Sequence, residues 1–254
     1  MKKIIYSAFL LGILGVSCKK SSNSDDNSNN PPAGTSYITN TPGTTWHYND
    51  HDNYTNKDTT STLVSSSKDT LVNGKSFHVY FNTVDITNEK DTEYNCKVGN
   101  DYYQMGALTT AFPVFELKYL SDNQAVNYSW VTPFSNSNNG TVINAQIKNT
   151  IEAKGLTLTV GAKTYTDVIQ VKTEIQNASI SLTSPVAQTI TPAITQDVHM
   201  YYAPKYGLIK SDVKLKIIAT VIVLQLPSPL PPVTQDFTVS DVNSTTTLTS
   251  STIQ

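Results

Sequence analysis

Two histidines and two aspartates lie within six residues of one another, at His47, Asp50, His51 and Asp52. Imidazole nitrogens and carboxylate oxygens bind zinc, which takes three or four such ligands in a fixed geometry. In a helix the two histidines would share a face, but the segment follows a strand pattern and runs into residues that favour a turn. Calcium would need a glycine at the sixth place of an oxygen-rich loop, where the chain has Thr55. We therefore expect a polar hairpin tip, with these four residues as weak metal candidates, and no cofactor.

The other residue types that could catalyse a reaction form no known motif. The chain has neither a Gly-x-Ser-x-Gly elbow nor a His-Glu-x-x-His zinc motif. His78 and His199 lie in alternating segments, which predicts positions on the polar faces of strands. The five glutamates, at positions 89, 93, 116, 152 and 174, mostly fall at the polar positions of alternating segments, which predicts solvated strand faces for them too. A hydrolase whose carboxylates meet from distant strands stays open, but we expect a protein that is not an enzyme.

Cys18 has the clearest chemical assignment. Lys2 and Lys3 precede an apolar run from residue 4 to 16, and Ser17 then precedes the cysteine. The run is shorter than the roughly 20 residues of a membrane-spanning helix, and the whole pattern is typical of a secretory signal ending in a lipoprotein cleavage box. We expect removal of residues 1–17 and lipid attachment at Cys18, with an ordinary cleaved signal peptide as the alternative. Acylation of this residue would anchor the chain durably to a membrane.

Composition limits the partners. The other cysteine, Cys96, alternates with polar residues and is expected to be a small buried residue of a strand. All 18 basic residues are lysine, and the pI is near 6.1. Arginine provides the planar fork that binds phosphate and guanine. Its absence argues against nucleic acid as a partner.

Hydrophobic patterning predicts one all-β domain behind a tether. Residues 18–36 are rich in Ser, Asn and Pro and predict a flexible tether, whereas residues 37–254 predict a single β domain with a Ser/Thr-rich tail. Asn73 and Gly74 predict a type I′ hairpin. Apolar residues on the odd positions of 141–153 predict a strand with one wet face. About ten to twelve strands of this kind indicate an antiparallel, strongly curved sheet, either a half-barrel or a β-sandwich.

Two segments near the end of the chain carry more specific expectations. Residues 217–226 are mostly β-branched and predict a strand buried on both faces. The tail from Asp236 predicts a last edge strand around Phe237 and Val239, followed by frayed residues.

Aromatic residues are the most suggestive feature for binding. The chain has 14 tyrosines and two tryptophans against seven phenylalanines. The adjacent pairs Tyr102-Tyr103 and Tyr201-Tyr202 place rings on both faces of their strands. An outward ring can stack on a sugar or form a contact patch, whereas Trp46 is expected to belong to the core, as is the second tryptophan, at position 130.

Two motifs resemble a known family. An opening motif, Gly43-x-x-Trp46-x-Tyr48, lies near the start of the predicted domain. A closing motif, Tyr201-Tyr202-Ala203-Pro204-x-x-Gly207-Leu208-Ile209-Lys210, lies towards its end. These motifs resemble those of uncharacterised cell-envelope lipoproteins of Bacteroidota, over residues 37–226. The resemblance implies a curved antiparallel sheet or half-barrel and brings no catalytic residues with it.

Together these features predict a non-enzymatic lipoprotein of the cell envelope. We expect an outer-membrane location facing the periplasm or the cell surface, with the membrane engaged through the lipid anchor. The tethered domain would bind a ligand or act as a scaffold, and a glycan, a lipid or another envelope protein would be its partner. The alternatives are a lipid or lipoprotein carrier with an apolar concave face, and an envelope hydrolase.

Overall fold

The computed structural model describes residues 36–106, 115–138, 140–183, 187–224 and 233–253. These residues form no helix, and 80% of them lie in strands. The strands are β1 (Thr45–Asp52), β2 (Lys57–Val72), β3 (Lys75–Val84), β4 (Lys90–Val98), β5 (Asp101–Gly106), β6 (Phe115–Ser121), β7 (Ser129–Asn138), β8 (Thr141–Val160), β9 (Lys163–Leu182), β10 (Gln188–Ile190), β11 (Ala193–Ala203), β12 (Gly207–Leu224) and β13 (Val233–Thr252). No helix in the described part of the chain could cross a membrane.

All the strands belong to one antiparallel sheet. Its order is β6-β5-β4-β3-β2-β1-β13-β12-β11-β9-β8-β7, and β10 pairs with β9 alone. The sheet curves until its two ends nearly meet, which gives a barrel-shaped molecule. The Lys118 carbonyl of β6 accepts hydrogen bonds at this seam from Trp130 Nε1 of β7 (2.7 Å) and Asn149 Nδ2 of β8 (3.0 Å). The all-β prediction is therefore confirmed, in its strongly curved form.

Local patterns predicted several elements correctly. Asn73 and Gly74 have φ angles of 50° and 78° and join β2 to β3, as a type I′ turn requires. Within residues 141–153 of β8 the odd residues Ala145, Ile147 and Ile151 are buried, whereas the even positions are half-buried or exposed. Period-two alternation gave these results because one face of the strand packs on the core.

Two predictions near the end of the chain were right about the strands and wrong about their surroundings. The segment 217–226 is a strand as far as its described residues extend, to Leu224, but only Ala219 is buried and Thr220 is exposed. In the tail, residues 233–243 of β13 have strand partners in β12 alone, as the predicted edge strand around Phe237 and Val239 would, but residues 244–252 pair with β1 and are not frayed. The partners of β13 in β1 lie about 200 residues away along the chain, so no local sequence pattern predicts this pairing.

The segment before β1 enters the interior of the barrel. Tyr37, only 2% exposed, donates its backbone N–H to the Tyr102 hydroxyl (3.1 Å) and its own hydroxyl to the Asp167 carbonyl (2.8 Å). The Tyr80 hydroxyl donates to the Thr39 carbonyl (3.0 Å). These hydrogen bonds hold the segment between β3, β5 and β9, where it closes part of the interior and leaves the rest as a cavity.

Candidate functional site

A half-open cavity of about 230 Å³ lies in the interior of the barrel. Six strands of the first half line it, and β1 to β4 each contribute two residues that are two positions apart, because every second side chain of a strand points inward. The strand-borne lining residues from this half are Trp46 and Tyr48 of β1, Ser61 and Leu63 of β2, Tyr80 and Asn82 of β3, Glu93 and Asn95 of β4, Gln104 of β5 and Tyr119 of β6. The lining thus combines aromatic rings with amide groups and one carboxyl group.

Glu93 is the ionisable acid of this cavity. Register places it directly opposite Tyr80, and Asn82 Nδ2 donates to its Oε1 at 3.0 Å. Burial raises the pKa of Glu93 to about 7, with a smaller contribution from Asp91 in the same direction and an opposing one from the Asn82 hydrogen bond. The position of Glu93 corrects the prediction that the glutamates lie on solvated strand faces.

The inward position of Glu93 could not be predicted from the sequence, because both faces of β4 are covered in the folded protein. Tyr94 and Cys96 alternate with Glu93 and Asn95, and Cys96 is only 2% exposed. Alternation alone assigns the apolar residues to the core and the polar residues to water. In a barrel with a polar interior the second face points into the cavity instead, and only the closure of the sheet reveals this.

Three tyrosines, Tyr48, Tyr119 and Tyr202, also line this cavity. Tyr48 donates its hydroxyl to the Leu208 carbonyl at 3.0 Å, and burial raises its pKa far above the ordinary value. Tyr119 and Tyr202 pack ring against ring across the barrel at 5.3 Å, and burial raises the pKa of each. All three hydroxyls therefore remain protonated and neutral in the physiological range.

Two polar atoms of the lining have no hydrogen-bond partner. They are Nε1 of Trp46, a residue only 3% exposed, and Oδ1 of Asn82. A buried donor or acceptor without a partner costs about 1–3 kcal/mol of stability. Both atoms are themselves buried, so they lie within the packed wall of the cavity rather than on the surface that a ligand would touch.

The two motifs that carry the family resemblance meet at this cavity. Trp46 and Tyr48 come from the opening motif, and Tyr202, Gly207 and Leu208 from the closing one. The closing motif contains the tight turn that joins β11 to β12, in which the Tyr206 N–H donates to the Ala203 carbonyl (3.1 Å).

The weak metal candidates lie in β1, which continues as a strand through Asp52. Alternation places His47 and His51 on the face opposite to Asp50 and Asp52. Nδ1 of each histidine lies 3.0 Å from a side-chain oxygen of β2, Thr62 Oγ1 and Asp58 Oδ1 respectively, whereas Asp50 accepts from Thr246 of β13. No group of three potential metal ligands occurs among the residues that the structure describes.

His78 does not lie on a solvated strand face, because it is buried at 6% exposure. Its Nε2 lies 2.9 Å from Ser65 Oγ and its Nδ1 lies 2.6 Å from Asp69 Oδ1. This connectivity is that of a serine hydrolase triad. The exposures are reversed, however: Ser65 is 2% exposed whereas the Asp69 side chain is 62% exposed. A substrate therefore has no access to the hydroxyl, and the group links β2 to β3 across the irregular pairing near Ser65.

His199 lies between two carboxylates. Its Nε2 and Nδ1 are each 2.8 Å from an oxygen, of Asp197 and Glu152 respectively, and Gln170 Nε2 lies 3.1 Å from Nδ1. The residue is half-buried in β11, in accord with the prediction of a polar strand face. It lies away from the residues that line the interior cavity.

Cys96 is buried as expected, and burial raises the pKa of its thiol to about 11. A thiol with such a pKa is protonated at neutral pH and therefore a poor nucleophile. Trp46 and Trp130 are buried too, at 3% and 9% exposure, as predicted. Cys18, the signal and most of the tether lie outside the described residues.

No family model matches the chain, and neither a curated protein nor a solved structure matches it.

Proposed function

We propose that this chain is a non-enzymatic lipoprotein of the cell envelope whose barrel-shaped domain binds a small ligand in its interior cavity. The cavity of about 230 Å³, with its mixed lining of aromatic, amide and carboxyl groups, is the observation that carries the proposal. Protein interiors are close-packed, with few voids larger than a water molecule. Small-molecule sites combine apolar walls with a few placed polar groups, as this lining does.

The energetics of the lining support binding. Glu93, the Asn82 carbonyl oxygen and the Trp46 N–H all lose hydration on folding without full compensation. Each such group costs about 1–3 kcal/mol, so an apolar filling of the same space would be more stable. A ligand that donates a hydrogen bond to Glu93, which is half-buried and lines the cavity, recovers part of this cost on binding.

The alternatives receive less support. A lipid carrier needs an apolar cavity, and the apolar groove between β8, β9, β11 and β12 measures only about 60 Å³. That volume is about two water molecules at roughly 30 Å³ each. A hydrolase of the predicted kind needs two facing carboxyl groups, and the described lining of the cavity holds one, Glu93.

The proposed cellular location of the protein rests on the sequence alone. The signal pattern that ends at Cys18 supports an outer-membrane lipoprotein, and residues 18–36 would hold the domain away from the membrane.

Native mass spectrometry of the full chain, purified gently from an envelope fraction, tests the binding proposal. We expect a one-to-one small-molecule adduct. Ser61→Phe fills the cavity and should abolish the adduct, whereas Thr60→Phe, on the exposed opposite face of β2, should retain it. A ligand-free wild-type mass, or an adduct that survives Ser61→Phe, would contradict binding in the cavity and favour a scaffold.

A further inference from the structure

The charge of the interior cavity selects for one class of ligand. Among the described residues, Glu93 lines it and no lysine does, and the chain contains no arginine. An anionic ligand would therefore meet a carboxyl group and no countercharge. In a partly buried site, where charges are weakly screened, this repulsion excludes acids and phosphates.

The groups that face Glu93 leave its charge uncompensated. Asp91, on the same strand, is a like charge, and Tyr80 of β3 and Tyr48 of β1 are neutral because burial raises their pKa. Asn82 of β3 supplies one hydrogen bond to Oε1 and no charge. A half-buried carboxylate in such surroundings is stabilised most by a cation that enters the cavity.

Aromatic rings form much of the remaining wall. Trp46, Tyr48, Tyr80, Tyr119 and Tyr202 all line the cavity. Aromatic rings attract cations through their quadrupole, tryptophan most strongly, and cages of such rings recognise ammonium groups. Elsewhere in this chain lysines already use this interaction: Lys75 Nζ lies 4.7 Å from the ring centre of Tyr103.

On the basis of the proposed binding function, we infer that the interior cavity takes a small protonated amine. Its ammonium group donates to Glu93, and its carbon body lies against the rings. The volume of about 230 Å³ corresponds to seven or eight water molecules at roughly 30 Å³ each, which limits the ligand to a similar number of groups. An unbranched amine of four or five carbons fits this limit.

Four probes of similar size separate charge from shape: butylammonium, tetramethylammonium, n-butanol and butyrate. The readout is the indole N–H resonance of Trp46 in ¹H–¹⁵N spectra of the full chain in a nonionic detergent. The chain has only two tryptophans, and the second, Trp130, already donates its indole N–H to Lys118, so its resonance is an internal control. We expect titratable shifts of Trp46 alone, with affinity falling in the order given and no shift with butyrate.

The Glu93→Gln variant identifies the acid. Butylammonium should bind at least tenfold more weakly to it, whereas butanol should bind as before. Glu89→Gln, at an exposed turn, is the matched control and should change neither. Because the pKa of Glu93 is about 7, its ionised fraction rises about tenfold from pH 6 to pH 8. The amine, like lysine, stays charged over this range, so its apparent affinity should rise by about the same factor in the wild type and stay flat in Glu93→Gln.

The outcomes separate this inference from the proposal on which it rests. Equal binding of butanol and butylammonium, unaffected by Glu93→Gln, overturns the amine assignment and leaves a ligand-binding cavity. Preferential binding of butyrate overturns it as well. If no probe shifts Trp46 and the purified chain carries no adduct, both the inference and the binding proposal are overturned.

Discussion

Glu93 couples the stability of the fold to its binding site. In the unfolded chain its pKa is the ordinary 4.5, whereas in the folded chain burial raises it to about 7. The folded state therefore binds the proton more tightly. The resulting stability is fully present below pH 4.5 and is lost as pH rises through 7, the reverse of a salt-bridged carboxylate.

Glu93→Gln should remove this pH dependence. The shift from 4.5 to about 7 corresponds to about 3 kcal/mol, since one pKa unit is about 1.4 kcal/mol. Urea unfolding of the wild type from pH 4.5 to 8 should lose up to that amount relative to the variant. Glu89→Gln should follow the wild type, and parallel curves for all three proteins would contradict the burial of Glu93.

His78 is a second single residue that contributes to the stability of the fold, through hydrogen bonds rather than through charge. We expect His78→Ala to cost about 1–3 kcal/mol for the Ser65 hydroxyl left without its partner, in addition to lost packing. Asp69→Asn should cost less than about 1 kcal/mol, because the Asp69 side chain is 62% exposed and water replaces it. Urea denaturation measures both, and equal costs would contradict a structural role based on the buried serine.

At the scale of elements, β13 determines whether the sheet is continuous. It joins the half formed by β1–β6 to the half formed by β7–β12, although its sequence is mostly Ser, Thr and Asp. Threonine is β-branched and suits a strand, and Leu248 inserts into the core beside Trp46 and Ile209. Pairing with both neighbours, rather than burial of many side chains, holds this strand in place.

Leu248→Ala should destabilise the domain by about 2–5 kcal/mol, the usual cost of emptying a buried leucine site. Leu248 is 1% exposed, whereas Ser250, two residues further along the same strand, is exposed. Ser250→Ala should therefore change stability by less than about 0.5 kcal/mol. Thermal or chemical denaturation measures the pair; a small effect of Leu248→Ala would indicate that β13 is peripheral.

For the whole molecule, the seam between β6 and β7 decides the barrel shape. The two edge strands are joined there by side chains: two donors share the Lys118 carbonyl, and the rings of Phe115 and Phe134 lie 5.0 Å apart. Pro133 lies in β7, which has a strand partner only in β8. Proline is tolerated there because an edge strand leaves part of its backbone unpaired.

A double-mutant cycle tests the seam. Trp130→Phe and Asn149→Ala each leave the Lys118 carbonyl with one donor, whereas the double variant leaves it with none. The double variant should therefore lose about 1 kcal/mol more than the sum of the single losses. Urea denaturation of the four proteins gives the coupling, and strict additivity would indicate that the two donors act independently.

Local chemistry in the sequence determined the strands, the Asn73-Gly74 turn, and the burial of Trp46 and Cys96, because alternation and positive φ angles are properties of neighbouring residues. Only the tertiary structure decided that the tail is a central strand and that Glu93 faces inward. Both depend on closure of the sheet between residues distant in the chain, and closure turns a polar strand face from solvent into the wall of a cavity.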